Sequence, residues 1–274
     1  YYLREASNMG DIQVNLQEKQ ERDRSSHEIA LAVREALVAT AARHGASVKV
    51  VEVPPGPPVM SPIVAEIYGP NYEDQKKLGR QIEQIFKDTE DISDIDSSVE
   101  SDATRYVIEG DRQRAALLGV SQSQVSSSVS MALGGEDVTF IHKGHEKEPI
   151  PVLLEVAVKD KADISSVLAL KVRSREGVPV PISQFASVVE APWDDAIIHK
   201  DLLPVVFVTG DMTGELDSPL YGMFDLGASI DEAEYSGQGI EQRYISQPDN
   251  PYYFSMKWDG EWQVTYETFR DMGI

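Results

Sequence analysis

The feature that most restricts the fold of this chain is a strand-helix-strand pattern that occurs twice. Ile12, Val14 and Leu16 alternate with polar residues as a half-buried strand does. Ser25 with Glu28 three residues on is a capping-box pair, and Ile29, Ala32, Val33, Ala36, Leu37 and Thr40 then share one helical face until Gly45 stops the run. Residues 47–53 are β-branched and alternating, which predicts a return strand. The proline run 54–58 (PPGPP) cannot join a helix or a ladder, because proline lacks the donor and forces its predecessor extended. After it the plan repeats. Residues 63–68 read as a strand, Asn71 caps a helix that turns Leu78, Ile82, Ile85 and Phe86 inward, and residues 92–99 read as another strand. Each helix must bury its apolar face on a sheet, so the modules predict helix-over-sheet layers of the α+β class.

The stretch 111–135 (DRQRAALLGVSQSQVSSSVSMALGG) interrupts that rhythm. A helical turn is stopped by Gly119 in the left-handed region that glycine enters cheaply. Ser121 with Gln124 then opens a second capped helix, Val125, Val129 and Leu133 line its apolar face, and Gly134 and Gly135 end it. Residues 138–141 and 151–158 flank a charged segment, 142–149, as a hairpin does; 163–168 reads as a short helix, and 170–173 with 178–180 as a second hairpin. Residues 202–209 are the most apolar strand and belong at a sheet centre. Asp217 is placed to cap a helix carrying Leu220, Phe224 and Ile230, weakened by Gly222 and Gly227 by roughly 1 kcal/mol each. Residues 240–245 form a last alternating run, and Trp262, Tyr266 and Phe269 recur at helical spacing in the tail.

Composition narrows the function. Forty-six acidic against 25 basic residues give a net charge of −21, which disfavours nucleic acid and anionic lipid as partners. Cysteine is absent, so disulfides and thiolate metal sites are excluded. There is no start methionine, signal-peptide core or apolar run long enough to cross a bilayer, so the segment as given is expected to be soluble and cut from something larger. No phosphate loop, GxSxG, HExxH or GxGxxG motif is present, and no catalytic residue, cofactor or metal is expected. His142, His145, Glu146 and Glu148 are the one dense set of possible metal ligands, but lysines are interleaved with them. The methionines Met9, Met60, Met131, Met212, Met223, Met256 and Met272 are scattered, as core filling requires.

The wording of residues 111–135, D-x-x-x-A-x-x-LGV-S-x-x-x-V followed by GG-x-x-V, resembles the docking subdomain of RND-type (resistance, nodulation, division) multidrug and metal efflux transporters. Residues 168–173 (LALKVR), 177–185 (GVPVPISQF) and 187–190, leading to 199–211 (HKDLLPVVFVTGD), follow the same template in order. The resemblance implies an α+β fold of two ferredoxin-like β-α-β porter subdomains with an inserted α+β docking subdomain. Residues 1–60 would be the first porter subdomain of the pump's C-terminal half, 61–102 with 195–274 the second, and 103–194 the docking subdomain. The chain would then be the second large periplasmic loop, between transmembrane helices 7 and 8, at the periplasmic face of the bacterial inner membrane. Implied partners are the other protomers of a homotrimer, a periplasmic adaptor, an outer-membrane channel and a small amphiphilic substrate, with trimer contacts through the 142–149 hairpin.

In the drug pumps substrate enters a cleft between the two porter subdomains, and the positions matching Val50, Glu52, Pro54, Asp96 and Ser98 line or border it. This chain departs from the aromatic and basic side chains common there by carrying Glu52 and Asp96, which implies a cleft for cationic amphiphiles. The metal-exporting branch uses methionine thioethers for soft monovalent ions, and no methionine pair is spaced for that here, so organic amphiphiles are favoured over metals. The alternative is a soluble small-molecule-binding or regulatory protein built of ferredoxin-like modules, distinguished by the absence of adjoining hydrophobic spans.

Overall fold

The computed structural model describes residues 9–52, 59–100, 103–144, 147–161, 163–213 and 218–273. In chain order they form α1 (Ser26–Arg43), β1 (Ile63–Tyr68), α2 (Tyr72–Asp88), β2 (Ile92–Ser97), β3 (Thr104–Gly110), α3 (Arg112–Leu117) and α4 (Gln122–Gly134). Next come β4 (Glu136–Ile141), β5 (Ile150–Leu154), α5 (Val158–Lys161), α6 (Ile164–Leu168), β6 (Lys171–Arg173), β7 (Pro179–Pro181) and β8 (Ala186–Pro192). The remainder adds β9 (His199–Lys200), β10 (Leu203–Pro204), β11 (Val206–Met212), α7 (Pro219–Asp231), β12 (Glu234–Tyr235), β13 (Gln238–Gly239), β14 (Glu241–Arg243), β15 (Ser255–Gly260) and α8 (Glu261–Met272). The fold is α+β. Two compact units divide the chain, Tyr1–Ser101 with Asp195–Ile274, and Asp102–Asp194.

The first unit is built on a sheet of order β14-β15-β1-β11-β2. β1 lies antiparallel to both β11 and β15, and β11 antiparallel to β2. It follows that β1 and β2, joined through α2, are parallel with β11 between them, and that β11 and β15, joined through α7, are parallel with β1 between them. Two such split β-α-β units make a ferredoxin-like layer. β14 extends the edge parallel to β15. Along β1, Ile63, Ala65 and Ile67 pack with Leu78, Ile82 and Phe86 of α2 and Met223, Leu226 and Ile230 of α7. The alternate residues Val64 and Tyr68 pack with Val205 and Phe207 on the other face. Burial on both faces is why the strand reads as an apolar run broken only by Glu66.

α1 and α2 form where the sequence places them. The Ser25–Glu28 capping box is closed in both directions, and the Asn71 side chain accepts from Asp74 N. The strands predicted to flank α1 do not form: no strand lies within residues 9–18 or 46–52, Ile12 is 93 % exposed, and of α1 only Ala30 is buried. An alternating segment becomes a strand only when a neighbour completes its ladder and covers its apolar side, and neither segment has one among the described residues. The proline run 54–58 lies outside them.

Three further differences concern the C-terminal part. Of residues 240–245 only Glu241–Arg243 pairs, as an edge, while the last strand of the ferredoxin-like layer is β15. Its Ser255, Met256, Lys257 and Trp258 are all buried, so it lacks the alternation that reveals a strand. Asp217 lies outside the described residues; α7 follows Ser218 with Pro219 in its first turn. The buried face of α7 is Gly222, Met223, Leu226, Gly227 and Ile230, whereas Phe224 is exposed. The glycines that weaken the isolated helix are thus its contact surface: a Cβ on Gly222 would sit 2.8 Å from Ile92 Cδ1 and against Met212 Sδ.

In the second unit β3 pairs antiparallel with β8, and β6 with β7. Val120, Val172, Val180, Ile182 and Phe185 form its core, with Leu118, Val125 and Val129 packed against it. Gly119 takes φ 69°, and the Ser121–Gln124 capping box opens α4, both as the sequence predicts. β4 and β5 make the expected hairpin. Val138, Phe140, Ile141, Leu153 and Leu154 on it are exposed.

Substituting Gly222→Ala should lower the urea-unfolding free energy by about 1–3 kcal/mol through overpacking, even though alanine would otherwise favour a helix by about 1 kcal/mol.

Candidate functional site

The residues marked out by sequence fall along a polar seam where α1 and residues 47–52 meet the edge strand β2. Between the pairs Thr209↔Asp96 and Asp211↔Ser93 the register shifts, so β2 carries one extra residue. Asp94 in this bulge adopts φ 49°, a left-handed conformation that aspartate tolerates, and bulges re-aim side chains. Asp94 forms an ion pair with Arg34 of α1, the two side chains only 10 % and 15 % exposed. The same guanidinium donates to Ser93 Oγ and to Val50 O, each at 3.3 Å. Lys49 pairs with Asp96. His27 Nδ1 lies 2.9 Å from Glu52 Oε1.

Val50 and Asp96 are thus drawn into the seam by Arg34 and Lys49, and Glu52 is tied to α1 by His27. Both acids have basic partners, so neither presents a bare carboxylate. Ser98 does something else: its N–H donates to Phe207 O at 2.8 Å and its Oγ accepts from Phe207 N at 2.9 Å, prolonging the ladder toward β11. Pro54 lies outside the described residues. α1 buries little apolar surface, with Ala30 its one buried residue, so its contacts with β2 and residues 47–52 in this seam are mainly polar.

Sequence reasoning missed a second group, on the face of the sheet away from α2 and α7. Glu66, fully buried in β1, pairs with Lys200 and with Lys257, the latter at 3.4 Å, and accepts from the Tyr68 hydroxyl at 2.7 Å. Lys200 also pairs with Asp259. Burial, reinforced by the Asp259 contact, pushes the Glu66 carboxyl above its ordinary range. Burial and the bond to Glu66 push the Tyr68 phenol up. For Asp259 burial acts upward, but hydrogen bonds with Glu66 and Lys200 prevail and hold it at about 2. For Lys200 burial acts downward and is outweighed by its bonds to Asp259 and Glu66, which raise it. The signal available in sequence was a lone glutamate inside IVAEIY and a lone lysine inside SMKW, charges that strands buried on both faces hold only when paired.

Among the described residues no three His, Asp or Glu side chains converge as metal ligands. His145 and Glu146 lie outside them. Met212, Met223 and Met256 sit in the main core. No helix among the described residues is long and apolar enough to cross a membrane.

The described residues thus form a ferredoxin-like layer with a second α+β unit inserted in the chain between β2 and β11. Residues 2–219 match the model of the AcrB/AcrD/AcrF family, and the chain belongs to that family of RND-type efflux transporters. It is 28% identical over 153 residues to the swarming motility protein SwrC of Bacillus subtilis (strain 168), covering 54% of this chain and 14% of that protein. To the cobalt-zinc-cadmium resistance protein CzcA of Cupriavidus metallidurans it is 20% identical over 210 residues, 75% of this chain and 18% of that protein. To the multidrug resistance protein MdtC of Pectobacterium carotovorum subsp. carotovorum it is 28% identical over 107 residues, 39% of this chain and 10% of that protein. In fold it is similar to a crystal structure of a heavy metal efflux pump, with a TM-score of 0.56 and 18% identity over 77% of this chain and 21% of that one. The chain therefore spans less than a fifth of the length of these curated relatives.

Two outcomes check the geometry. Arg34→Met should destabilise the chain by about 3 kcal/mol, because a buried charge loses its partner. Adding Asp94→Asn should restore much of that, read from urea midpoints. Asp259, held below the ordinary aspartate value, contributes stability that is present above that value and lost as pH falls toward about 2. Asp259→Asn should therefore flatten the acid limb of the stability curve over that window.

Proposed function

We propose that this chain is the periplasmic porter and docking part of a proton-driven RND efflux pump. Residues 1–60 would belong to one porter subdomain, 61–102 with 195–274 to the next, and 103–194 to the docking subdomain that meets an outer-membrane channel. The observation that carries the reading is the ferredoxin-like sheet interrupted between β2 and β11 by a separately packed unit, in a chain that matches the family over residues 2–219. Family membership favours it over a soluble regulatory protein.

Val50, Glu52, Pro54, Asp96 and Ser98 are the proposed border of the substrate cleft, and the substrates are organic amphiphiles, cationic ones preferred because they would take the places of His27 and Lys49 beside Glu52 and Asp96. Core-bound Met212, Met223 and Met256 support that choice. A second reading, export of metal ions, is favoured by the similarity to the cobalt-zinc-cadmium resistance protein and to the heavy metal efflux pump. The proposed assembly is a homotrimer in the bacterial inner membrane with a periplasmic adaptor. The exposed apolar residues of the β4–β5 hairpin support a protein contact there, since a lone hairpin is marginal in water.

The test is survival of an efflux-deficient host carrying the intact pump, challenged with cationic amphiphiles, anionic amphiphiles, and cobalt or zinc salts. Protection against the cationic set, reduced by Glu52→Gln with Asp96→Asn, is expected. Protection confined to the metal salts would establish the second reading, and preference for the anionic set would overturn the charge argument.

A further inference from the structure

The connector that returns the chain from the second unit to the sheet is held down by charges along its length. Asp195 pairs with Lys76 of α2, and the Tyr72 hydroxyl donates to Ala196 O at 2.8 Å. β9 and β10 then form a two-residue ribbon whose turn, Asp201 and Leu202, places two non-glycine residues in the left-handed region at φ 48° and 69°. Leu202 at the tip is 94 % exposed, so no packing at the tip offsets this strain. What over-determines the turn lies at its flanks. Asp201 accepts from Gln247 Nε2 at 2.8 Å, and Lys200 reaches into the sheet.

The ammonium of Lys200 stands between carboxylates on two different strands, Glu66 in the middle of β1 and Asp259 in β15. Lys257, the other cation of the group, is nearly buried and makes its ion pair with Glu66. Asp259 is followed at once by the root of α8. There Gly260 turns at φ 83°, a Cβ on it would lie 2.5 Å from Pro62 O, and Glu261 N donates to that same carbonyl at 3.0 Å. Trp262 Nε1 donates to Tyr244 O. One side chain on the connector thus holds the strand from which the last helix springs.

We propose that Lys200 is a charge lock coupling the β9–β10 connector to the root of α8, so that the two are held and released together. Withdrawing the ammonium leaves Asp259 without its ion-pair partner and Glu66 with Lys257 alone, and it removes the connector's ionic grip on β1 and β15 in the same step while Leu203 and Val205 keep their apolar contact with β1. A displacement of the connector then reaches the root of α8 directly through the Lys200 ion pairs, on the face of the sheet away from the apolar layer under α2.

Hydrogen exchange on the full 274-residue chain tests this. The reporters are the amides of Val205, bonded to Ile198 O, and Glu261, bonded to Pro62 O, with Ile82 of α2 as reference. Lys200→Met should accelerate both reporters by about tenfold or more while Ile82 is unchanged, the signature of a local opening. Asp259→Asn leaves the Lys200–Glu66 arm in place, so it should accelerate Glu261 while Val205 stays within about twofold of its original rate. Acceleration of one reporter alone, or of neither, in Lys200→Met would overturn the lock. Should that variant fail to fold, Asp259→Asn decides: equal acceleration of both reporters, or no change in either, refutes the proposal.

Discussion

Every residue of β1 is buried, and the remainder of the first unit is arranged to keep it so. A strand covered on both faces needs neighbours on both edges, helices over one face and a lid over the other. β11 and β15 supply the edges, α2 and α7 cover one face, and Val205, Phe207 and Leu203 cover part of the other. The tolerance of this arrangement is small because protein interiors are close-packed. Gly222 lets α7 approach β2 and β11, and Trp258 stacks on Phe86 at 6.3 Å between centroids. Glu66 is the one charged side chain in β1, and its lysine partners come from the connector and from β15. Burial of one strand thereby dictates where the oppositely charged groups must stand.

The seam between α1 and β2 follows a different principle. There the contacts are polar, several of the partners are partly exposed, and salt weakens them far more than it weakens an apolar core. α1 reaches β2 directly through the Arg34–Asp94 pair at the bulge and the Arg34–Ser93 bond, and indirectly through residues 47–52, which His27–Glu52 ties to α1 and Lys49–Asp96 ties to β2. The acids that stand out in the sequence, Glu52 and Asp96, both belong to this polar seam.

How far the sequence could be read depended on whether the signal was local. The capping boxes at Ser25 and Ser121, the Asn71 cap, the stop at Gly119 and the hairpins β4–β5 and β6–β7 all depend on residues within a few positions of one another. The wording of residues 111–135 carried the family assignment as well. Ile12, Val14 and Leu16 misled because alternation supplies only half of a strand; the other half is a neighbour. β15 escaped notice for the opposite reason, since burial on both faces erased its alternation. In the candidate site the residue types were legible, but Asp94 and Arg34, which join α1 to β2, had no signature, because a bulge appears only against its partner strand.

By itself the sequence determined the capped helices α1, α2 and α4 and where they begin, the α+β class and the family, since short-range hydrogen bonding and apolar spacing act along the chain. Only the tertiary structure decided which strands would find ladders, that the α7 glycines would be its contact face, and that Glu66, Lys200, Lys257 and Asp259 would meet. The last of these spans 193 positions between Glu66 and Asp259. No local energy term encodes such a meeting. It follows from the order of strands in the sheet, which is set by the folding of the whole layer.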